Sequence, residues 1–175
     1  MPTTQYIWLF PILFVLHDFE EIIGSKLWVT KNGAAITKRF PMVGFIFKNF
    51  STEGFALAVA EELVLILIIC GLTFTGIHAF SMLWLGAFIA FTLHLVVHIG
   101  QAIVIRKYIP ALATSIPLIP VSIWIAINCI TSSNATLFEI AAYSVIAALA
   151  VVGNLFLAHW FAGKFNEWQQ RKISE

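Results

Sequence analysis

The sequence predicts an all-α membrane protein, a compact bundle of five transmembrane helices with the N-terminus outside and the C-terminus cytoplasmic. Three observations predict it. Of the 175 residues, 60% are hydrophobic and only 11% charged, with a mean hydropathy of +0.92, whereas roughly a quarter of a soluble domain is charged. Several apolar runs approach or exceed the ~20 residues that cross a bilayer. The Lys and Arg residues then sort to one side of a five-span arrangement. Little chain is left over, so residues 1–175 read as a single transmembrane domain.

The spans read at about 5–24, 53–73, 77–105, 110–130 and 137–163. The first begins "MPTTQYIWLFPILFVL". It lacks the basic start and small-residue cleavage site of a signal peptide and reads as a retained helix. The second, "EGFALAVAEELVLILIICGLT", is introduced by Ser51 and Thr52, good residues for a helix start. The third follows Thr75 and Gly76 and ends at Arg106 and Lys107, long enough to tilt or to run past the membrane surface. Pro110 starts the fourth, Pro117 and Pro120 are expected to bend it, and the polar turn "TSSNAT" separates it from the fifth. The connection 25–52 alternates basic residues with Trp28, Phe40, Phe45, Phe47 and Phe50. That mix suits a segment lying among anionic headgroups or a loop packed on the helix ends. No internal repeat is visible.

Basic residues collect on the cytoplasmic side of membrane proteins. With the N-terminus outside, Lys26, Lys31, Lys38, Arg39, Lys48, Arg106, Lys107, Lys164, Arg171 and Lys172 all fall on that side, and the opposite connections around 74–77 and 131–136 carry none. The expected location is the inner, cytoplasmic membrane. The expected surroundings are the lipid bilayer, with no nucleic-acid partner. Cys70 and Cys129 lie inside apolar runs and read as small core residues rather than a disulfide or metal pair. His78, Glu53, Glu139 and Asn128 mark span ends and need no function.

Against this apolar background, polar residues converge on one depth. His17, Glu20 and Glu21 close the first span, and Glu61 and Glu62 sit about two turns into the second. His94 and His98 occupy the cytoplasmic half of the third, and Asn154 and His159 the last turns of the fifth. At ~1.5 Å per residue these positions share one slab in the inner half of the membrane. At ~100° per residue Glu20 and Glu21 flank His17 on one face while Asp18 turns away. His94, His98 and Gln101 form a single stripe. A charged side chain such as Asp at a helix centre costs about 2.5–3.5 kcal/mol, and no Lys or Arg lies at that depth to pair with the acids. Four ionised glutamates among neutral histidines call for divalent cations. Glu and His drawn from several helices are also the ligands of helix-bundle di-metal sites.

The motifs resemble those of the HXXEE-domain family of membrane proteins. "HDFEE" matches its H-x-x-E-E signature and "HLVVH" its H-x-x-x-H element. The family's third element is an Asn followed four residues later by a His. Here Asn154 and His159 are five apart, which sets them about 140° apart on an ideal helix unless a π-type bulge intervenes. The resemblance covers roughly residues 10–163. It implies a small bacterial membrane protein of a group suspected of being enzymes, with no assigned reaction.

The function expected from these residues is that of a membrane-embedded metalloenzyme. His17, Glu20, Glu21, Glu61, Glu62, His94, His98 and His159 would surround one or two divalent ions, zinc or iron. Asn154 and Gln101 would stand behind the ligands, and Glu20 or Glu62 would serve as general base. The chemistry would be hydrolysis or oxygen activation on a lipid-like or small apolar substrate. Transport of divalent cations or protons, metal-free acid/base isomerisation of a sterol- or isoprenoid-like substrate, and haem binding are the alternatives. An oligomer could form through the small-residue face of the fifth span, which includes Ala141, Ala142, Ala147, Ala148 and Gly153.

Overall fold

The computed structural model describes residues 4–47 and 50–174; the side chains at positions 4, 43, 45, 46, 155, 159, 173 and 174 lie outside the described set. Among the described residues the chain is helical throughout, without strands. Helix α1 spans Thr4–Arg39, a 3₁₀ turn Pro41–Val43, α2 Gly44–Phe47, α3 Thr52–Thr73, α4 His78–Ile105, α5 Leu112–Thr131 and α6 Leu137–Ser174. Helices α3, α4, α5 and α6 are long and apolar enough to cross a membrane. Helix α1 stands outside that set because Asp18, Glu20 and Glu21 interrupt its apolar run after little more than three turns.

The largest departure from the sequence reading is at 25–52. Most of it is not a loop: α1 continues unbroken to Arg39 and is 36 residues long, about 54 Å at 1.5 Å per residue. Its second half includes Lys26, Leu27, Lys31, Ala34, Ala35 and Lys38, which favour helix. It stops where Pro41 forces Phe40 out of helical geometry, with Lys38 and Arg39 in the last turn complementing the negative end of the dipole. Helix α6 likewise runs past 163 to a length of 38 residues. Pro117 and Pro120 both lie inside α5. Ser51 caps α3 as its sequence suggests, its Oγ accepting from the Gly54 amide at 2.9 Å.

Helix α4 occupies the middle of the bundle, packing on α5 and α6, while α3 lies against α1 and α6. The α4–α6 approach is close. A Cβ on Gly86 would sit 2.5 Å from the Tyr143 carbonyl oxygen, so only glycine lets the two backbones meet there. Ala147 and Ala158 of α6 are buried within the chain, so part of the small-residue face is already used internally. The core is aromatic, with Trp84, Phe88 and Phe10 almost fully buried. Phe10 stands edge-on to Trp84 and Phe88, with centroids 6.1 and 5.3 Å away. Cys70 and Cys129 are free and buried, and the Cys70 thiol donates to the Ile7 carbonyl at 3.3 Å. At the loop end of the bundle where α4 and α6 begin, His78 and Glu139 form an exposed pair at 3.6 Å.

Candidate metal centre

Helices α1 and α4 face each other through complementary stripes. Ile7, Phe10, Phe14, His17 and Glu21 recur at alternating spacings of three and four along α1, as do Trp84, Phe88, Phe91, Leu95 and His98 along α4. Such spacing keeps every member on the shared face. Where the stripes turn from rings of Phe and Trp to His and Glu, a compact donor group forms. One ligand atom from each of His17, Glu21, His94 and His98 lies within 4.8 Å of all the others. The His94 and His98 Nε2 atoms are 2.8 Å apart, and His98 Nε2 is 3.1 Å from Glu21 Oε1. Metal bonds of about 2.0–2.1 Å place neighbouring donors about 3.0–3.4 Å apart, close to these separations. His17 is completely buried, and its Nε2 has no hydrogen-bond partner among the described residues. An unsatisfied buried imidazole nitrogen is costly, and a cation among these donors would satisfy it. Three imidazoles and one carboxylate suit zinc or iron.

The backs of the rings are held. Gln101 lies one turn beyond His98, and its Oε1 is 3.1 Å from His98 Nδ1. Thr114 Oγ1, from α5, is 3.1 Å from His17 Nδ1. His94 has an accessible edge on a surface shared with the exposed Leu93, Val96 and Val97, so the donor group opens toward apolar surroundings.

The other residues singled out in the sequence lie around this group in different roles. Glu20 does not face the donors. It points to the start of α5, where Ala113 N donates to Oε1 at 3.1 Å, Thr114 N and Oγ1 both donate to Oε2 at 2.7 Å, and the Tyr108 hydroxyl donates to Oε1. Burial, and then that bond to Glu20, push the Tyr108 phenol up to about 12. Glu61 accepts from the Asn154 amide at 2.8 Å, tying α3 to α6. Glu62 interacts electrostatically with Glu61, Asp18 and Glu21. The side chain of His159 is outside the described set, so the spacing of Asn154 and His159 is not tested.

Two contributors escaped the sequence reading. Asp18, placed by the helical spacing off the His17 face, is nonetheless 6% exposed, with Oδ2 lacking a hydrogen-bond partner among the described residues. Thr114 carried no visible signal, because its importance comes from a contact 97 residues distant. A hint was available in the alanine at position 111, a residue unable to cap the helix that follows. A separate groove of about 800 Å³ lies between the second half of α1, α2 and the end of α6, lined by Lys26, Thr30, Phe47, Asn166 and Gln170 among others; none of the four donors borders it.

Comparison with curated proteins and with solved structures gave no match. A family model does match residues 8–125, a stretch that contains the four donors, Glu20, Glu61, Glu62 and Thr114 and stops short of Asn154 and His159. The chain belongs to the family described as "Protein of unknown function with HXXEE motif".

Proposed function

We propose that this chain is a membrane-embedded metalloenzyme whose centre is built from His17, Glu21, His94 and His98. The observation that carries the reading is their convergence within 4.8 Å around a fully buried His17 whose Nε2 has no hydrogen-bond partner among the described residues. In this reading α1 is the fifth span, the N-terminus is outside, and the centre lies in the cytoplasmic half of an inner membrane. The absence of Lys and Arg from the spans at that depth supports it, since only a cation or protons can then offset the acids.

Bound zinc would supply Lewis acidity and an acidified water, and bound iron would supply oxygen chemistry. The protein's own residues do the rest. His17, His94 and His98 hold the ion as neutral donors, and Gln101 orients His98. Glu62, which interacts electrostatically with Glu21 and stands apart from the α5 contacts that engage Glu20, is the general base. The substrate is lipid-like or a small apolar molecule, because the donor group opens at His94 onto apolar helix surface. Transport is disfavoured by the layer of Phe10, Trp84 and Phe88, stacked and edge-on within 6.1 Å of one another, which closes the bundle beyond the donors.

Elemental analysis of the full chain purified in detergent tests the proposal. About one equivalent of zinc or iron per chain is expected, retained in Glu62→Ala and lost in His98→Ala. A wild-type protein free of metal and unable to take it up on reconstitution overturns the metalloenzyme and points to proton-transfer isomerisation.

A further inference from the structure

We infer that Thr114 and Glu20 are positioning residues that fix the tautomer of His17 and present its Nε2 to the metal, an inference that rests on the metal-centre reading. Thr114 has one hydroxyl proton and three possible acceptors within reach, Glu20 Oε2 at 2.7 Å, His17 Nδ1 at 3.1 Å and the Ala111 carbonyl at 3.2 Å. The shorter, charge-assisted bond to the carboxylate takes the proton. The hydroxyl oxygen, 3.1 Å from His17 Nδ1, is then left to accept. A neutral imidazole donates from one nitrogen and accepts at the other. His17 therefore carries its proton on Nδ1, and its lone pair lies on Nε2, the buried atom at the donor group that has no hydrogen-bond partner among the described residues.

The relay is anchored by a defect in α5. That helix starts after Ala111, which is held at φ 85° and supplies no side-chain cap, so its first amides need an acceptor from elsewhere. Glu20 provides it from α1, receiving four hydrogen bonds in all. One carboxylate thus seals the start of α5, locks the Thr114 hydroxyl and, through it, orients an imidazole one helix turn back along α1. His98 is arranged in the same manner, with Nδ1 against Gln101 Oε1 at 3.1 Å and Nε2 facing the group. Fixing a ligand through the back of its ring is the usual way that outer residues tune metal sites, and losing such a partner typically weakens binding about 10–100-fold.

The experiment uses the full chain in detergent with ¹⁵N-labelled histidine. Metal-free wild type is expected to show His17 as the Nδ1–H tautomer. Thr114→Val, which removes the hydroxyl but leaves the backbone amide on Glu20, is expected to lose that preference and to bind zinc about 10–100-fold more weakly in competition with a chelator. Thr114→Ser restores both. A purely structural role would shift thermal stability without moving the tautomer. An Nε2–H tautomer in wild-type protein overturns the inference even where variants fail to fold, as does Thr114→Val with wild-type tautomer and affinity. Wild type that binds no zinc yet shows the expected tautomers would remove the metal reading and leave the positioning of His17 standing.

Discussion

The two halves of the α1–α4 seam have the same geometry and opposite chemistry. In one half Phe10 meets Trp84, Phe88 and Phe91 with centroids 6.1, 5.3 and 5.6 Å away. In the other His17 meets His94 and His98 at 5.4 and 5.1 Å. Phe91 belongs to both, lying 6.3 Å from Phe14 and 6.0 Å from His17. The aromatic half closes mainly by ring packed on ring, and its phenyl groups need no polar partners. The polar half cannot close that way. Its imidazoles and carboxylates call for polar partners, so it recruits Thr114 from α5 and Gln101 from the next turn of α4. The same stripe packs a membrane bundle in one place and assembles a donor set in the other. The partners of the stripe, not its geometry, decide which.

Mutations on either side of Phe91 should separate these two economies. The largest effect is expected from His98→Ala. It removes a donor outright and should lower metal affinity by more than the ~10–100-fold typical of losing an outer hydrogen-bond partner, while leaving the fold in place, as read by metal competition and circular dichroism. Phe88→Ala should do the reverse. The ring is fully buried, and its loss should cost about 3–5 kcal/mol of stability with the metal content unchanged, a pairing that reversible unfolding and elemental analysis would check together. Should it strip the metal as well, the two halves are one cooperative unit. Gly86→Ala probes the scaffold they share. The added methyl meets the Tyr143 backbone at 2.5 Å and should cost about 1–3 kcal/mol, seen as a lower unfolding midpoint. Ser51→Ala, at the cap of α3 and remote from both halves, should cost about 1 kcal/mol. A change in metal affinity from that variant would show that the position of α3 matters to the donors.

The long apolar helices α3, α4 and α5 were legible because lipid imposes one rule along their whole length. Their observed bounds, Thr52–Thr73, His78–Ile105 and Leu112–Thr131, lie within two residues of those the hydropathy suggests. The end of α1 was not legible. Beyond Gly24 the residues are amphipathic and basic, and nothing local separates a helix that continues from a segment lying on a surface. Of the eight donors the motifs suggested, seven are described, and four of these converge. His17, His94 and His98 were readable from type and spacing. The division of labour between Glu20 and Glu21 was not, because on an ideal helix they flank His17 at angles of about 60° and 40°, and only the neighbour each one meets distinguishes them.

By itself, then, the sequence determined an apolar helical chain, the stretches of it in which ionisable residues gather, and donor types that favour a cation. Those follow from composition and helical periodicity, which act along the chain. Tertiary structure decided that Glu21 joins the imidazoles while Glu20 seals α5. It also decided that Asp18 is buried and that Thr114, 97 residues from His17, holds the back of its ring. Those facts depend on which helix stands opposite which, and a hydrogen bond between distant residues leaves no trace in the spacing of either one.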